Sequence, residues 1–320
     1  LYSPVSYGDK NALIPTQLGN DKIKWESTVQ KDLGLDFSFM RGRLGGTFGY
    51  YHKVTDGTLL NMTPAPSSSY STVVFNIAKI RNQGLEFDIH GDFIRKKDFR
   101  WTGNLNISRN VSKVLDINGG PFSDPNDRDA MNLGTSVVKE GEPLGLLYGR
   151  VATGIIKTQA QLEAAREEFS LWTIFDPYLN LGDIAYEYED GFWKEDVIGH
   201  ATPDFFGGYT NTINWNRFTL TALFTFSYGN DLIYQKDVSD SGMSSLANRG
   251  TRVLNHYSED NTSSNRPRSM WATTYMLSSL NVYDASYLKL KTLSLSYNLP
   301  ESICRKVRIK SASVYGTATN

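Results

Sequence analysis

Acidic side chains stand two or four residues apart at two places in the sequence, a spacing that allows paired carboxylates to do acid–base chemistry. Asp32 and Asp36 form one pair, and Glu86, Asp88 and Asp92 form a second set. On a β-strand such residues share one face, so one carboxyl can donate a proton while another accepts one. The same spacing is typical of a solvated strand face, and we favour this second interpretation.

Other reactive residue types are sparse. The single cysteine, Cys304, excludes an internal disulfide and has no nearby base in the sequence that would activate it. The four histidines lie far apart, so they predict no metal site. The segment DPNDRD (124–129) offers clustered oxygens to a cation, but a solvated loop explains it as well. We therefore predict no enzyme activity, no catalytic residue, no metal and no cofactor.

Aromatic residues in the long polar segments are the candidate substrate-binding residues. Aromatic faces stack on sugar rings and contact peptide side chains, so they suit a carbohydrate or a peptide ligand. Packing within their own loops is the alternative, because aromatic rings bury a large apolar area. The candidates are Trp172, Tyr178, Trp193 and Trp271.

The elements that must position these residues are β-strands with one apolar and one polar face. In FRWTGNLNISRN (99–110), Phe99, Leu105 and Ile107 alternate with polar residues. A bulge is expected near Lys291, where the alternation changes phase. Strands are predicted at 27–39, 44–56, 83–94, 99–112, 203–214, 217–228, 286–298 and 306–317.

The connections between these strands are of two kinds, and they alternate. Tight turns are predicted at 40–43, 95–98, 214–217 and 300–305, and long connections at 57–82, 113–202 and 229–285. Short turns at one end and long loops at the other are typical of outer-membrane β-barrels. Aromatic residues beside the tight turns fit an interfacial girdle, and they are Phe37, Phe39, Phe93, Phe99, Trp101, Trp215 and Phe218.

We interpret the chain as all-β, part of one transmembrane antiparallel barrel whose apolar strand faces meet lipid and whose polar faces line a wet interior. Backbone groups in lipid must be paired, so the sheet must close. The predicted lipid-facing residues are Leu35, Phe87, Leu105, Leu220 and Phe224. The predicted interior residues are Asp36, Asp88, Asn104, Thr221 and Thr225. A net charge of −1 gives no reason to expect nucleic acid as a partner.

The connection 113–202 is predicted to be one extracellular unit, as is 229–285. The strand-like PLGLLYGRVATGII (143–156) carries Arg150 near its middle and makes a poor lipid-facing strand, so we expect an outer hairpin or a segment folded toward the pore. A helix is predicted at 158–169, where Thr158 and Gln161 have capping-box spacing.

Several segments, in this order along nearly the whole chain, carry a family resemblance. They include KIKWESTVQKDLGLDFSFMRGRLGGTFGYYHKVTDGTLL (22–60), NIAKIRNQGLEFDIHGDFIRKKDFRWTGNLNISRNVSKV (76–114) and EGEPLGLLYGRVATGIIKTQAQLEAA (140–165), followed by LGDIAYEYEDG (181–191) and the segments 197–234 and 285–302. Together they resemble the SusC/RagA family of TonB-dependent outer-membrane transporters.

The resemblance implies an integral protein of the bacterial outer membrane that imports an oligosaccharide or a peptide nutrient and is energised by TonB. It implies a SusD-like surface lipoprotein over the long loops, and contact with TonB through a plug region not seen in this chain. Large plugged transporters have 22 strands, so we expect a carboxyl-side fragment of such a barrel. YEYEDGFWKED (186–196) departs from the calcium-like loop that the family often carries there, since it has too few oxygen ligands in order.

Two alternatives come from other functional classes. One is a self-contained, eight-stranded outer-membrane barrel with a structural or adhesive role. The other is a soluble β-sandwich that serves as a binding module, since a sandwich shares the alternation of apolar and polar residues.

Overall fold

The computed structural model describes residues 2–8, 10–62, 66–68, 70, 72–117, 130–168, 179–237, 248–269 and 277–320. None of the helices in these residues has the length and apolar character needed to cross a membrane. Three of the candidate aromatic residues, Trp172, Tyr178 and Trp271, lie outside the described residues, as does the oxygen-rich segment 124–129.

Strands dominate the described residues. In chain order they are β1 (Tyr2–Tyr7), β2 (Lys10–Pro15), β3 (Gln17–Leu18), β4 (Ser27–Phe39), β5 (Leu44–Met62), β6 (Thr72–Arg95), β7 (Phe99–Asp116), β8 (Ala130–Asn132), β9 (Ser136–Lys139), β10 (Leu146–Arg150), β11 (Ala152–Ile155), β12 (Ile184–Tyr186), β13 (Tyr188–Glu189), β14 (Phe192–Trp193), β15 (Glu195–His200), β16 (Phe205–Trp215), β17 (Phe218–Tyr228), β18 (Asp231–Ile233), β19 (Val282–Asp284), β20 (Tyr287–Asn298) and β21 (Ser313–Thr319). The helices are α1 (Gln159–Glu168) and α2 (Glu301–Lys306), with single 3₁₀ turns at Pro66–Ser68, Thr251–Asn255 and Ser279–Asn281.

A nine-stranded sheet forms the body of the molecule. Its neighbouring strands are β4, β5, β6, β7, β16, β17, β20 and β21, and β3 adds a short parallel pairing to β6. Each long strand pairs antiparallel with its neighbours, as the predicted meander requires. Within the described residues β4 and β21 are the two ends of this order and do not pair, so the sheet is a section of barrel wall and not a closed eight-stranded barrel.

The predicted strand positions hold, with two corrections. Position 57–82 was expected to be a long connection, but β5 continues to Met62 and β6 starts at Thr72, with register shifts after Thr55 and Thr58 that let the pairing continue. The expected tight turn at 300–305 is instead α2, and the following strand starts at Ser313 and not at 306.

Helix α2 forms because its sequence suits a short helix. Pro300 precedes its first turn, where a missing N–H costs nothing. Glu301 stands at the positive end of the helix, and Arg305 and Lys306 stand at the negative end. Arg305 Nη2 also reaches Glu301 Oε2 at 3.1 Å, one helical turn away. Alternation alone did not separate this segment from the strand that follows it.

The register places the predicted residues on the predicted faces. Leu35 pairs with Phe48, Phe48 with Phe87, and Leu105 with Ile89 and Tyr209, so these side chains share one face. The bulge near Lys291 is confirmed, because Leu223 pairs with Thr292 and Phe224 with Leu290, leaving Lys291 unmatched. The side chains of the apolar face are open to their surroundings, with Leu33 67% and Leu35 62% exposed. An apolar surface of this extent suits a hydrocarbon environment and not water.

Asn211 is a polar residue on the apolar face of the sheet. It pairs with Gly103, beside the Trp101–Ile213 pair, so its side chain does lie on that face. The indole Nε1 of Trp101 donates a hydrogen bond to Asn211 Oδ1. This contact gives the amide oxygen a partner, which is what a polar group in an apolar environment needs.

Strands β5, β6 and β7 are longer than a membrane crossing, which takes about 9–11 residues. They have 19, 24 and 18 residues, and their excess length lies at the long-loop end. There the loops pack on the polar-face side of the sheet, because Ser112 and Val114 are buried while Val111, on the opposite face, is 39% exposed. The loop segment around Met131 and Val138 supplies the covering side chains.

The connection between β7 and β16 contributes no strand to the main sheet in the residues described, as expected. The segment 143–156 does not form a hairpin with itself, however. Strand β10 pairs with β9 and β15, and β11 pairs with β12 in a separate two-stranded sheet. Gly154, at φ +139°, lies at the irregular step in the β11–β12 pairing.

The helix prediction is confirmed, with Thr158 and Gln161 exchanging capping hydrogen bonds at 3.1 and 3.2 Å.

Candidate functional site

A continuous polar surface crosses the main sheet on the face opposite the apolar one. It arises because most of the alternate residues of these strands are polar and the register aligns them between strands. The directly paired positions at mid-height are Asp36, Thr47, Asp88, Asn106, Gly208, Thr225 and Lys289. Such a surface is the lining of a water-filled barrel interior.

The acidic residues that suggested acid–base chemistry lie on this surface, and two of them, Asp32 and Asp88, contact side-chain amides. Gln30 Nε2 donates to Asp32 Oδ1 at 2.8 Å. Asn104 Nδ2 lies 3.4 Å from both carboxylate oxygens of Asp88. In these contacts the carboxylate oxygens accept hydrogen bonds from side-chain amides, which is the geometry of a solvated strand face.

A recess of about 330 Å³ lies where the polar surface meets the tight turns. Asp92 lines this recess with 10% of its side chain exposed, and its carboxylate oxygens accept charge-assisted hydrogen bonds from Arg100 Nε at 3.2 and 3.3 Å, with Arg100 Nη2 3.1 Å from Oδ2. Arg95 Nη1 lies 4.0 Å from the same carboxylate. Arg43 Nη2 donates to the backbone oxygen of Asp92 at 3.0 Å. The recess therefore has the guanidinium groups of Arg43, Arg95 and Arg100 beside the single carboxylate of Asp92, which gives it a positive charge.

At the opposite end, the GDI motif holds two long loops together. Arg268 Nε and Nη2 donate to the two carboxylate oxygens of Asp183 at 2.7 and 3.1 Å. The backbone N–H of Asn180 donates to Asp183 Oδ2 at 2.7 Å, and that of Arg268 donates to the oxygen of Gly182 at 2.8 Å. This forked pair is largely buried, since the side chain of Asp183 is 9% and that of Arg268 27% exposed. We call these residues the loop clamp.

Gly182 is required by the geometry of the loop clamp. Its φ of +90° lies in the left-handed region, and a Cβ at this position would stand 2.4 Å from Cδ1 of Tyr257. Tyr257 is itself buried against Ile155, Ile184 and Tyr186. The sequence resemblance marked this motif, but its role in joining 179–200 to 248–269 depends on contacts between distant residues.

Trp193 is the one candidate aromatic residue that lies within the described part of the chain. The guanidinium carbon of Arg150 stands 4.1 Å from the centre of its ring, a cation–π distance. Tyr186 meets the ring edge-on, with centroids 6.5 Å apart. Burial lowers the pKa of Arg150, partly offset by Tyr186 and by Glu195, whose Oε1 lies 3.7 Å from Arg150 Nε. Trp193 therefore takes part in loop packing, and its ligand role stays a prediction.

A second buried polar cluster lies in the loop 229–285, and no local sequence pattern indicates it. Asp237 is 5% exposed and accepts hydrogen bonds from the Tyr283 hydroxyl at 2.7 Å and from Arg266 Nη1 at 3.0 Å. Burial, together with the hydrogen bond to Asp237, raises the pKa of Tyr283. Arg252 lies over the rings of Tyr234 and Tyr283. These partners are 29 and 46 residues from Asp237, too far for a local pattern to reveal them.

Comparison with known proteins gives one consistent result. The family model described as TonB dependent receptor-like, beta-barrel matches residues 2–222. TonB-dependent receptor P3 of Formosa agariphila is 31% identical over 326 residues, which cover 100% of this chain and 32% of that protein. TonB-dependent receptor SusC of Bacteroides thetaiotaomicron is 38% identical over 108 residues, which cover 33% of this chain and 11% of that protein.

Among solved structures, the RagAB peptide transporter matches with a TM-score of 0.75 at 20% identity, over 100% of this chain and 34% of that chain. This likeness concerns the fold. The chain thus spans about a third of the length of TonB-dependent receptor P3 and of the RagAB chain. The family-model match and the structural similarity together confirm the predicted family resemblance and the partial transmembrane barrel. They exclude the soluble β-sandwich. The chain belongs to the TonB-dependent receptor-like β-barrel family, in its SusC/RagA group, and is an integral outer-membrane protein.

Proposed function

We propose that this chain forms part of the wall and mouth of an outer-membrane importer for an oligosaccharide or a peptide nutrient. The observation that carries the proposal is the polar surface, which continues across seven paired strands from Asp36 to Lys289 behind an apolar face. Such a two-sided sheet separates lipid from a hydrated path.

We further propose that the long-loop end is extracellular and receives the substrate. Residues 113–202 and 229–285 are joined there by the loop clamp, so they form one covering structure. The packing of Met131 and Val138 on the polar-face side of the sheet supports a position for the first of these loops over the opening of the barrel. Trp193 and, outside the described residues, Trp172, Tyr178 and Trp271 are the proposed aromatic contacts for sugar rings or peptide side chains.

The partners we propose are a SusD-like surface lipoprotein over these loops and TonB, acting through a plug region. The support comes from relatives, one of them SusC and another called a TonB-dependent receptor. A solved structure with a similar fold is that of the RagAB peptide transporter. An uptake measurement decides whether the substrate is an oligosaccharide or a peptide.

The test is uptake by cells that carry the intact protein. A strain lacking the gene and a complemented strain are given fluorescent oligosaccharides in one arm and fluorescent peptides in the other, with and without a protonophore. We expect energy-dependent uptake of one class only in the complemented strain. Uptake that is equal in both strains, or that is unchanged by the protonophore, would contradict the proposal.

A matched pair of variants tests the polar surface within the same assay. Thr225→Trp places an indole on the polar face, and Phe224→Trp exchanges one aromatic side chain for another on the apolar face. We expect Thr225→Trp to slow uptake because it narrows the path, and Phe224→Trp to leave uptake unchanged at equal protein levels. The reverse result would show that the path does not follow this surface.

A further inference from the structure

The tight-turn end of the sheet is strongly basic. The turn segments 40–43, 95–98, 214–217 and 300–310 contain ten Lys and Arg residues and two acidic residues. The rest of the chain contains 23 Lys and Arg residues and 32 acidic residues. The net charge of −1 is therefore unevenly distributed, because the tight turns are positive and the rest of the chain is negative. A positively charged end attracts an anionic partner.

The basic residues of 300–310 stand beside exposed apolar side chains. Ile303 is 48%, Val307 62% and Ile309 45% exposed. The four cations of this segment, Arg305, Lys306, Arg308 and Lys310, are exposed as well. We call residues 301–310 the basic anchor. Apolar and cationic side chains interspersed on one short element are typical of segments that lie in the headgroup region of a membrane.

The fold holds the basic anchor in place. Cys304 is buried, with 1% exposed, and its backbone oxygen accepts hydrogen bonds from the N–H groups of Val307 and Ile309 at 3.2 and 3.0 Å. The N–H of Leu299 donates to the oxygen of Ala312 at 2.9 Å and closes the base of the segment. The exposed side chains are therefore presented by a fixed backbone and do not belong to a loose loop.

The residues at the ends of the neighbouring strands indicate where the membrane boundary lies. Directly paired positions on the apolar face run Phe99, Trp215, Phe218, Tyr297 and Val314 across five strands. The rings of Phe218 and Tyr297 are in contact, with centroids 4.7 Å apart. Such an aromatic row marks the interface between hydrocarbon and headgroups. The basic anchor joins the last two of these strands and so lies just beyond the row.

We propose that the basic anchor binds anionic phospholipid headgroups, such as phosphatidylglycerol, in the leaflet that meets the tight-turn end. The cations attract the phosphates, and Ile303, Val307 and Ile309 enter the boundary of the acyl chains. The proposal depends on the orientation proposed above, which makes this the periplasmic leaflet. An acidic protein partner would use the cations but gives no role to three exposed aliphatic side chains beside an aromatic row.

The experiment measures lipid binding to the purified full-length protein in detergent. Delipidated protein is titrated with phosphatidylglycerol or with zwitterionic phosphatidylethanolamine, and bound lipid is counted by native mass spectrometry. The variant is Lys306→Gln with Arg308→Gln and Lys310→Gln. The control is Lys10→Gln with Lys22→Gln and Lys24→Gln, which removes three exposed cations at the long-loop side. Each cation near an anionic surface contributes about fivefold to association, so three contribute on the order of 100-fold.

The expected result is that the anchor variant loses at least about tenfold in affinity for phosphatidylglycerol, while its affinity for phosphatidylethanolamine is unchanged. The control variant binds both lipids as the unchanged protein does. Undiminished phosphatidylglycerol binding by the anchor variant would overturn the proposal, as would an equal loss in the control. The assay is independent of membrane orientation and of import, so its failure is distinct from failure of the proposed function.

Discussion

At the scale of single residues, the position of a side chain within the alternation decides which environment it must tolerate. Leu105 and Asn104 are neighbours in β7, yet Leu105 lies beside Ile89 and Tyr209 on the apolar face, and Asn104 lies beside His90 and Thr210 on the polar face. Asn211 shows that an exception is tolerated when a partner is supplied, here the indole N–H of Trp101.

We therefore predict opposite tolerance to the same substitution at these two neighbours. Leu105→Arg should cost about 2–4 kcal/mol of folding free energy, because it places a cation in hydrocarbon, and Asn104→Arg should cost much less. Folding titrations of the intact protein in lipid with denaturant measure both values. Equal costs at the two positions would contradict the assignment of faces.

At the scale of elements, the loops are organised by a few long-range contacts. The loop clamp joins Asp183, which directly precedes β12, to Arg268. The backbone N–H of Asn180 donates to the same Asp183 carboxylate. Helix α1 is connected to this point, since Arg166 Nη2 donates to the oxygen of Leu179 at 2.7 Å. Breaking a largely buried ion pair on one side leaves the other charge without compensation, which costs about 3–5 kcal/mol.

We predict that Asp183→Asn loosens these loops and speeds cleavage after Arg166 by trypsin added to intact cells. A loss of about 3 kcal/mol in local stability raises the open population on the order of 100-fold, so an acceleration of tenfold or more is expected. Asp190→Asn, an exposed change in the same loop region, serves as the control. Cleavage only after the outer membrane is permeabilised would contradict the extracellular placement of 113–202.

At the scale of the whole molecule, the sheet has two edges and one organised end. Strands β4 and β21 each have one partner in the described residues, and apolar-face side chains such as Leu33 and Leu35 remain exposed there. A sheet with free edges is not stable in hydrocarbon, because each unpaired backbone group there costs several kcal/mol. The described wall therefore needs further strands to be stable in a membrane.

We predict that residues 1–320 expressed alone do not form a closed barrel. The chain should aggregate or remain unfolded in detergent, and it should not show the heat-dependent shift in electrophoretic mobility of a compact barrel. The intact protein, prepared in parallel, should show that shift. A compact, heat-modifiable monomer of 1–320 would contradict the open sheet and revive the eight-stranded alternative.

Local sequence patterns were enough to predict the central parts of the main strands, their two faces, three of the four short turns and the family resemblance. These features depend on local periodicity, because neighbouring residues of a strand point to opposite sides and a membrane makes the difference between the sides large. The bulge at Lys291 and the capping of α1 were predictable for the same reason, because each depends on residues close together in the sequence.

The joining of the loops, the full length of the strands and the replacement of the expected turn at 300–305 by α2 depend on tertiary contacts. Arg268 lies 85 residues from Asp183, and Arg266 lies 29 from Asp237, so no local pattern could pair them. The extensions of β5 and β6 are stabilised by pairing across register shifts, which depends on the partner strand. The basic turn ends are visible in the sequence, but they become one surface only when the meander brings four separate turns to the same end of the sheet.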